Sequence, residues 1–322
     1  MEEGARIIRQ STPKFAKMIS SKYGDLGSRK VQKDLAENHG RKVSRNYIQK
    51  TAKAVGELVL KKEKEWEYIL PKKTKKTTIV SIGLDGTTSY LVGQGYRETM
   101  SGTISFIDKE GNRLHTIYIA HSPEYGKGSF KERFQREIEQ VKAIFPKAHY
   151  TGVADGAADN WSFLNPIVDS TTIDFWHVTG YLALASKAYS KSRYEQKQWY
   201  EKTRHKLRHE QESALKILKE IQSFERKHLS DSKKQKLAKA ITYFFNHHHQ
   251  MNYAVQAAKG LPIGSGQTEA ACKVIVKERL CCSGMRWKES AVQAVLNIRC
   301  LTHTPKRWNQ LWNFIDSYGI AA

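Results

Sequence analysis

Residues 77–87 read TTIVSIGLDGT, and residues 149–157 read HYTGVADGA. Each stretch is β-branched and apolar, the composition of a buried strand. Each ends at an Asp-Gly pair, Asp85-Gly86 and Asp155-Gly156, where glycine lets the backbone turn sharply. One Asp-Gly after a strand usually marks no more than a turn. Two of them carry a different expectation, because rigid strands can hold a pair of hard oxygen ligands close enough to share divalent cations.

The surrounding sequence places these strands in a mixed α/β core. Strands are expected around Gly102–Asp108, Arg113–Ala120 and Thr171–Phe175. Phe130, Phe134, Ile138, Val141 and Ile144 recur at helical spacing between them. The order strand, strand, strand, helix, strand, helix, strand is that of an RNase H-like core, although other mixed folds share so short an order. Residues 178–259 then lose strand character and become rich in Lys, Arg, Glu, Gln and Ala, with Leu215, Leu218 and Ile221 at helical spacing: a helical insertion. It stops at residues 260–266, GLPIGSG, and the chain restarts as a helix over Gln267–Leu280 with Ser265 as its cap. Glu269 on this helix is the best candidate for a third carboxylate; alternatively it only complements the helix dipole. Lys273, one turn along, with Lys277 and Arg279, would edge the groove with phosphate-binding charge.

Upstream, residues 1–70 lack strand alternation and read as all helix. Ser28 is expected to cap a helix with Val31 and Leu35 on one face, Gly40 to end it, and Ser44 to cap the next. That second helix turns Tyr47, Ile48, Ala52 and Val55 inward and leaves Arg45, Asn46, Gln49, Lys50 and Lys53 outward, as the recognition helix of a helix-turn-helix does. An ordinary helical hairpin with a solvated basic face is the alternative. Residues 71–76 form a basic linker. The catalytic core would then occupy residues 77–177, resume at 260–302 after the insertion, and be followed by a tail helix over 303–322.

Composition narrows the function. The 54 Lys and Arg outnumber the 32 Asp and Glu, for a net charge of +22 spread along the chain, so a polyanionic partner such as nucleic acid is expected. No apolar run approaches the roughly 20 residues that span a bilayer, and the start of the chain lacks a signal-peptide pattern, so no membrane association and a cytoplasmic location are expected. Cys272, Cys281, Cys282 and Cys300 form no C-x-x-C pair, which excludes a zinc ribbon or a disulfide framework. Gly264-Ser265-Gly266 lacks the ending of a P-loop. His247, His248 and His249 would point to different sides of a helix and read as a solvated face. Asp159 reads as a helix cap.

Four stretches, VSIGLDGT (80–87), VADGAADNW (153–161), IDFWH (173–177) and GSGQTEAACKVIVKERLCCSGMRW (264–287), resemble the ISKra family of bacterial insertion-sequence transposases, and more distantly Mutator-like and hAT-type enzymes. The likeness covers roughly Thr77–Cys300. It implies a DDE transposase that cleaves and transfers DNA strands at element ends. By the same likeness Asp85, Asp155 and Glu269 hold two Mg²⁺ or Mn²⁺ ions, and Asp174 and His177 form a D-x-x-H motif beside them. Residues 283–287 would border the DNA, with Arg286 on phosphate and Trp287 on a base; from the residues alone, Gly284 is equally a C-cap and Trp287 a core anchor. Such enzymes bind double-stranded DNA in the nucleoid and act as homodimers or larger oligomers. Two rivals remain: another RNase H-like nuclease or junction resolvase, and a domesticated DNA-binding regulator without catalysis. Members of the family are longer and carry a cysteine-rich zinc-binding region ahead of the helix-turn-helix. No cysteine precedes Thr77 here, so a shortened chain that keeps its catalytic set is expected.

Overall fold

The computed structural model describes residues 7–319. The expected outer ends of the first helical region (1–6) and of the tail helix (320–322) lie outside the described residues. Five strands, β1 Ile79–Leu91, β2 Gly95–Ile107, β3 Arg113–Glu124, β4 His149–Ala154 and β5 Ser170–Ile173, form one sheet in the order β3-β2-β1-β4-β5. The first three pair antiparallel; β4 and β5 add in parallel on the other side of β1. The chain is therefore a mixed α/β protein. Among its described residues no helix is long and apolar enough to cross a membrane.

The first strand departs from its expected length. β1 does not turn at Asp85-Gly86 but runs on to Leu91, with Asp85 opposite Ser101 and Gly86 opposite Met100 on β2. Pairing with the long β2 overrides the local turn signal, and the hairpin closes instead where Gly93 and Gly95 take positive φ. α4, Gly128–Ile144, buries Phe130, Phe134 and Ile138 against the sheet. α5 (Ala158–Leu164) and α6 (Phe175–Tyr189) follow β4 and β5. The insertion is helical as expected, comprising α7 Arg193–His209, α8 Ser213–Gln222, α9 Asp231–His247 and α10 Tyr253–Ala258. Its Ile217, Leu237 and Phe244 share the apolar core of the sheet.

A second core joins the two ends of the chain. α1 (Pro13–Asp25), α2 (Ser28–His39) and α3 (Arg45–Lys62) pack their Ile19, Leu35, Ile48 and Val55 with Val292 and Ile298 of α13 (Glu289–His303) and Trp312 of α14 (Arg307–Tyr318). Gly40 closes α2 with φ of +62°, and Ser44 caps α3 by accepting the Tyr47 N–H at 3.1 Å, as expected. Ser28 does not cap: Gly27 holds that place, and the Ser28 hydroxyl instead receives Arg45 Nε and Gln49 Nε2, each at 3.3 Å. Residues Lys72–Lys76 coil into a 3₁₀ turn with Thr74 buried. The expected helix over Gln267–Leu280 is present as one continuous helical run, in which α11 Gly266–Ala271 passes through a π-helical stretch Cys272–Lys277 into a last turn, α12 Glu278–Leu280. Such π-helical turns recur at functional sites.

The tightest contact in this second core is backbone against backbone. A Cβ on Gly56 would lie 2.3 Å from the Ala294 carbonyl oxygen and 2.5 Å from its Cα, so α3 and α13 approach this closely only because residue 56 has no side chain. Gly180, inside α6, faces open space. Gly56→Ala should destabilise the protein by about 2 kcal/mol through overpacking. Gly180→Ala should stabilise it by up to about 1 kcal/mol through helix propensity. Urea unfolding of both variants checks the pair, and equal midpoints would contradict this packing.

Candidate active site

The parallel register aligns three aspartates. β1 and β4 pair in parallel from Ile79 beside His149 to Ile82 beside Gly152, and Asp85 and Asp155 each follow the last of these pairs by three residues. Ala154 of β4 stands beside Ile173 of β5, so the next pair is Asp155 and Asp174, and the Asp174 N–H donates to Ala154 O at 2.9 Å. Asp155 and Asp174 directly follow the carboxyl ends of β4 and β5, the edge where open α/β sheets bind ligands, whereas Asp85 lies within β1.

Glu269 arrives on α11, which sits directly on β1. A Cβ on Gly83 would lie 2.1 Å from Thr268 Oγ1 and 3.1 Å from the Val153 carbonyl oxygen. Only glycine admits the helix so close. Thr268 shares a hydroxyl hydrogen bond of 2.9 Å with Thr103, and Gln267 Oε1 accepts the Ser105 hydroxyl at 2.6 Å. These contacts, made by the two residues just before Glu269, fix its backbone against the sheet.

Asp174 ties the pieces together. Its side chain is fully buried and caps α6 by accepting the His177 N–H on Oδ1 at 2.6 Å. Its Oδ2 accepts the Ser265 N–H at 2.5 Å and can accept the Ser265 hydroxyl at 2.9 Å. That hydroxyl also lies 3.1 Å from Glu269 Oε1, and with one proton it serves only one carboxylate at a time. Burial pushes the Asp174 pKa up, but the hydrogen bonds from His177 and Ser265 outweigh it and hold the carboxyl down to about 2.

His177 is half-exposed, with Nδ1 3.4 Å from Asp174 Oδ1 and 3.9 Å from Glu269 Oε1. Its hydrogen bond with Asp174 and the charges of Asp155 and Glu269 push its pKa up and favour the imidazolium. Among the described residues, Asp174, His177 and Glu269 are the group whose ligand atoms lie within 4.8 Å of one another. Two expectations change here. Asp85 and Asp155 do not join Glu269 in one compact set; Glu269 turns instead to His177 and Ser265. Asp174 is not a group that reaches substrate either, since both its oxygens are consumed by buried hydrogen bonds; it positions His177 and Ser265.

The other three carboxylates are built differently. Asp85 Oδ1 accepts the Gly86 N–H at 2.8 Å, and Asp155 Oδ1 accepts the Ala157 N–H at 3.1 Å and Asn160 Nδ2 at 3.0 Å. Glu269 uses Oε1 on Ser265. Among the described residues, no N–H or O–H reaches the second oxygen of any of them, and no Lys or Arg pairs with them. Burial, with a further contribution from the Asp155 charge, pushes the Asp85 pKa up against the Gly86 N–H and the Cys272 thiol. Each carboxylate is thus oriented by one oxygen and offers the other, a donor set of hard oxygens that fits Mg²⁺ or Mn²⁺.

The insertion closes the far side. A Cβ on Gly156 would lie 2.7 Å from the Tyr243 ring and 3.2 Å from His247 Nε2, so α9 rests on the turn that carries Asp155. Tyr243 in turn stacks on Tyr181 of α6 at 3.7 Å and 12°. His247 is half-buried here, whereas His249 is exposed, so the three histidines do not form one solvated face. Beside Glu269 a hollow of about 440 Å³ opens between His177, Gly180, Tyr181 and Leu184, with Trp176 58% exposed at its mouth. Nothing in the sequence around Gly83, Tyr243 or Trp176 marks them as neighbours of the carboxylates; only the Trp-His adjacency at 176–177 hints at it.

The expected DNA-contacting residues divide. Arg45, Asn46, Gln49, Lys50, Lys273, Lys277 and Arg286 are exposed, and Lys53 is half-exposed, 3.5 Å from Glu57. Arg279 and Trp287 are buried and cannot reach a phosphate or a base as placed. The Arg279 guanidinium lies between the rings of Tyr23 (4.9 Å) and Trp287 (4.6 Å), and Trp287 Nε1 donates to Leu280 O at 3.2 Å. Both are core anchors. Asp159 pairs with Lys127 and Lys131 while Ala157 holds the cap position of α5.

The depressed pKa of Asp174 makes stability pH-dependent. Its ionised form stabilises the folded chain fully above the ordinary carboxyl value of 3.8, and this contribution fades as pH falls toward 2. In metal-free buffer, Asp174→Asn should cost about 2 kcal/mol at pH 6. The gap from the parent protein should narrow below pH 4; urea midpoints across pH would reject an ionised Asp174 if the gap stayed constant. No known family model matches this chain, and no curated protein is found to match it.

Proposed function

We propose that this chain is an RNase H-like DDE transposase that cleaves and transfers DNA strands with two divalent cations held by Asp85, Asp155 and Glu269. The observation that carries the proposal is the set of three carboxylates, each oriented through one oxygen and, among the described residues, reached by no N–H or O–H at the other. The strand order β3-β2-β1-β4-β5, with one aspartate on β1, one just after β4 and a glutamate brought in on a late helix, agrees with it. So do the stretches that resemble ISKra transposases. When bound, the cations would activate a water or a 3′ hydroxyl and stabilise the leaving oxygen of the phosphodiester.

The residues of the chain divide the remaining work. Asp85, carried by β1, and Asp155, held by the Ala157 N–H and Asn160, are the fixed ligands. Glu269, half-exposed and bonded only through Ser265, is the adjustable one. His177 beside it presents a ring N–H to a phosphate oxygen. Asp174 and Ser265 hold His177 and the start of α11 in place, and Tyr243 and His247 wall off the Asp155 turn from solvent. Double-stranded DNA is the substrate in this reading, and joining two element ends to a target calls for more than one copy of the chain.

A labelled duplex carrying an element end, incubated with protein and Mg²⁺ or Mn²⁺, should be nicked, and Asp155→Ala should lower that rate by roughly a hundredfold or more. Nicking without joining of the freed 3′ end to a target would assign a nuclease instead. Calorimetric Mn²⁺ titration provides a readout apart from activity. Asp85→Asn, Asp155→Asn and Glu269→Gln should each weaken Mn²⁺ binding, and binding should weaken as pH falls because protons compete for the same oxygens. Unchanged Mn²⁺ affinity in all three variants would end the proposal.

A further inference from the structure

The exposed face of α3 is a ridge between two basic hollows. One, of about 730 Å³, has Arg29, Arg286 and Lys288 on its walls; the other, of about 350 Å³, has Arg9 and Gln10. Asn46 and Lys50 of α3 line both. Neither hollow is lined by a carboxylate. Among the described residues, Arg9, Arg29, Arg45, Lys50, Arg286 and Lys288 form no ion pair, although the same surface pairs Lys53 with Glu57 and Lys22 with Asp34. Six unpaired cations around one ridge form a surface for a polyanion.

Both walls are built, not loose. Arg9 and Gln10, each with positive φ, are the tip of a tight turn closed by the Ile8–Ser11 bridge, and the Ser11 hydroxyl bonds Tyr47 OH of α3 at 2.5 Å. On the other side, Trp287 is buried between Arg286 and Lys288, its carbonyl accepts the Val92 N–H at 2.8 Å, and Arg279 stacks beneath it. The two basic walls are thus held at fixed places relative to α3.

A helix flanked at a distance by two cationic walls matches the section of duplex DNA, in which the major groove admits one helix and a phosphate strand runs along each side. Asn46 and Gln49 on the ridge carry amides that can pair with adenine edges. We propose that α3 lies in the major groove of a DNA duplex, with one phosphate strand received by Arg9 and the other by Arg286 and Lys288. Residues from both ends of the chain then grip the same duplex. The inference shares with the proposed function the premise that DNA is the ligand, but it needs neither the carboxylates nor a metal.

Fluorescence anisotropy with a labelled duplex of mixed sequence about 30 base pairs long, in chelator and over a range of salt, tests it on the full chain. Arg9→Gln and the pair Arg286→Gln/Lys288→Gln should each weaken binding several-fold. Each should also make the slope of log affinity against log salt shallower by roughly one for every phosphate that the variant no longer engages. Asn46→Ala should leave the slope unchanged and alter sequence preference in a selection from random duplexes. Parental affinity and slope in both wall variants would overturn the inference, as would tighter binding to the single strand than to the duplex. Normal binding by the wall variants with cleavage still abolished by Asp155→Ala would remove this inference alone; intact duplex grip without any cleavage would remove the catalytic reading alone.

Discussion

A buried carboxylate with no room for error holds the candidate site together. Asp174 leaves the end of β5, caps α6 with one oxygen and binds the N–H and hydroxyl of Ser265 with the other. An ionised group so placed is tolerable only because donors surround it, and removing one of them would leave a buried charge uncompensated. The loop ending at Ser265 therefore has little freedom, and with it the start of the helix that carries Glu269. The approach of Thr268 to Gly83 serves the same end from the opposite side, pressing that helix onto the strand that carries Asp85. Between them these two constraints determine where the late carboxylate can be.

This arrangement separates two kinds of acid that the sequence presents alike. Asp174 is satisfied, and its pKa is low. Asp85 is partly desolvated beside Asp155 with little to offset it, and its pKa is raised. Uncompensated charge at a cleft is the mark of a group kept for a ligand, whereas compensated charge is the mark of structure. In the proposed reading, cations relieve the repulsion among Asp85, Asp155 and Glu269. Before they bind, Glu269 rests against His177 and Ser265.

Much of the fold could be read from the residues, because strand and helix periods are local. The five strands, the helix of Phe130 to Val141 and the helical insertion all fall near their expected places. What could not be read depends on pairing across the chain. Asp85-Gly86 looks like a turn until β2 supplies a partner for it, and Ser28 looks like a cap until Arg45 and Gln49 claim its hydroxyl. Arg279 and Trp287 look like DNA contacts because charge and aromaticity are visible in sequence and burial is not. The candidate acids stood out in the sequence for a different reason: the same dipeptide after two β-branched runs, and a helix restarting after glycines, leave few other carboxylates to consider. Tyr243 and His247, supplied by a distant helix, gave no such local signal.

Two elements run from the carboxylates to the floor of the basic groove. β1 carries Asp85 and reaches Leu91, which is bridged to Trp287. The helix that begins with Glu269 continues through its π-helical stretch, buries Ile275 and Val276 in the second core, and ends with Arg279 stacked under Trp287. Close-packed elements of this kind transmit position rather than yield to it. If α3 and its flanking walls set the register of a duplex, the same β1 and the same helix set the distance from that duplex to the acids. The step at which a phosphodiester would be presented to Asp85 and Asp155 is then a property of the shared core.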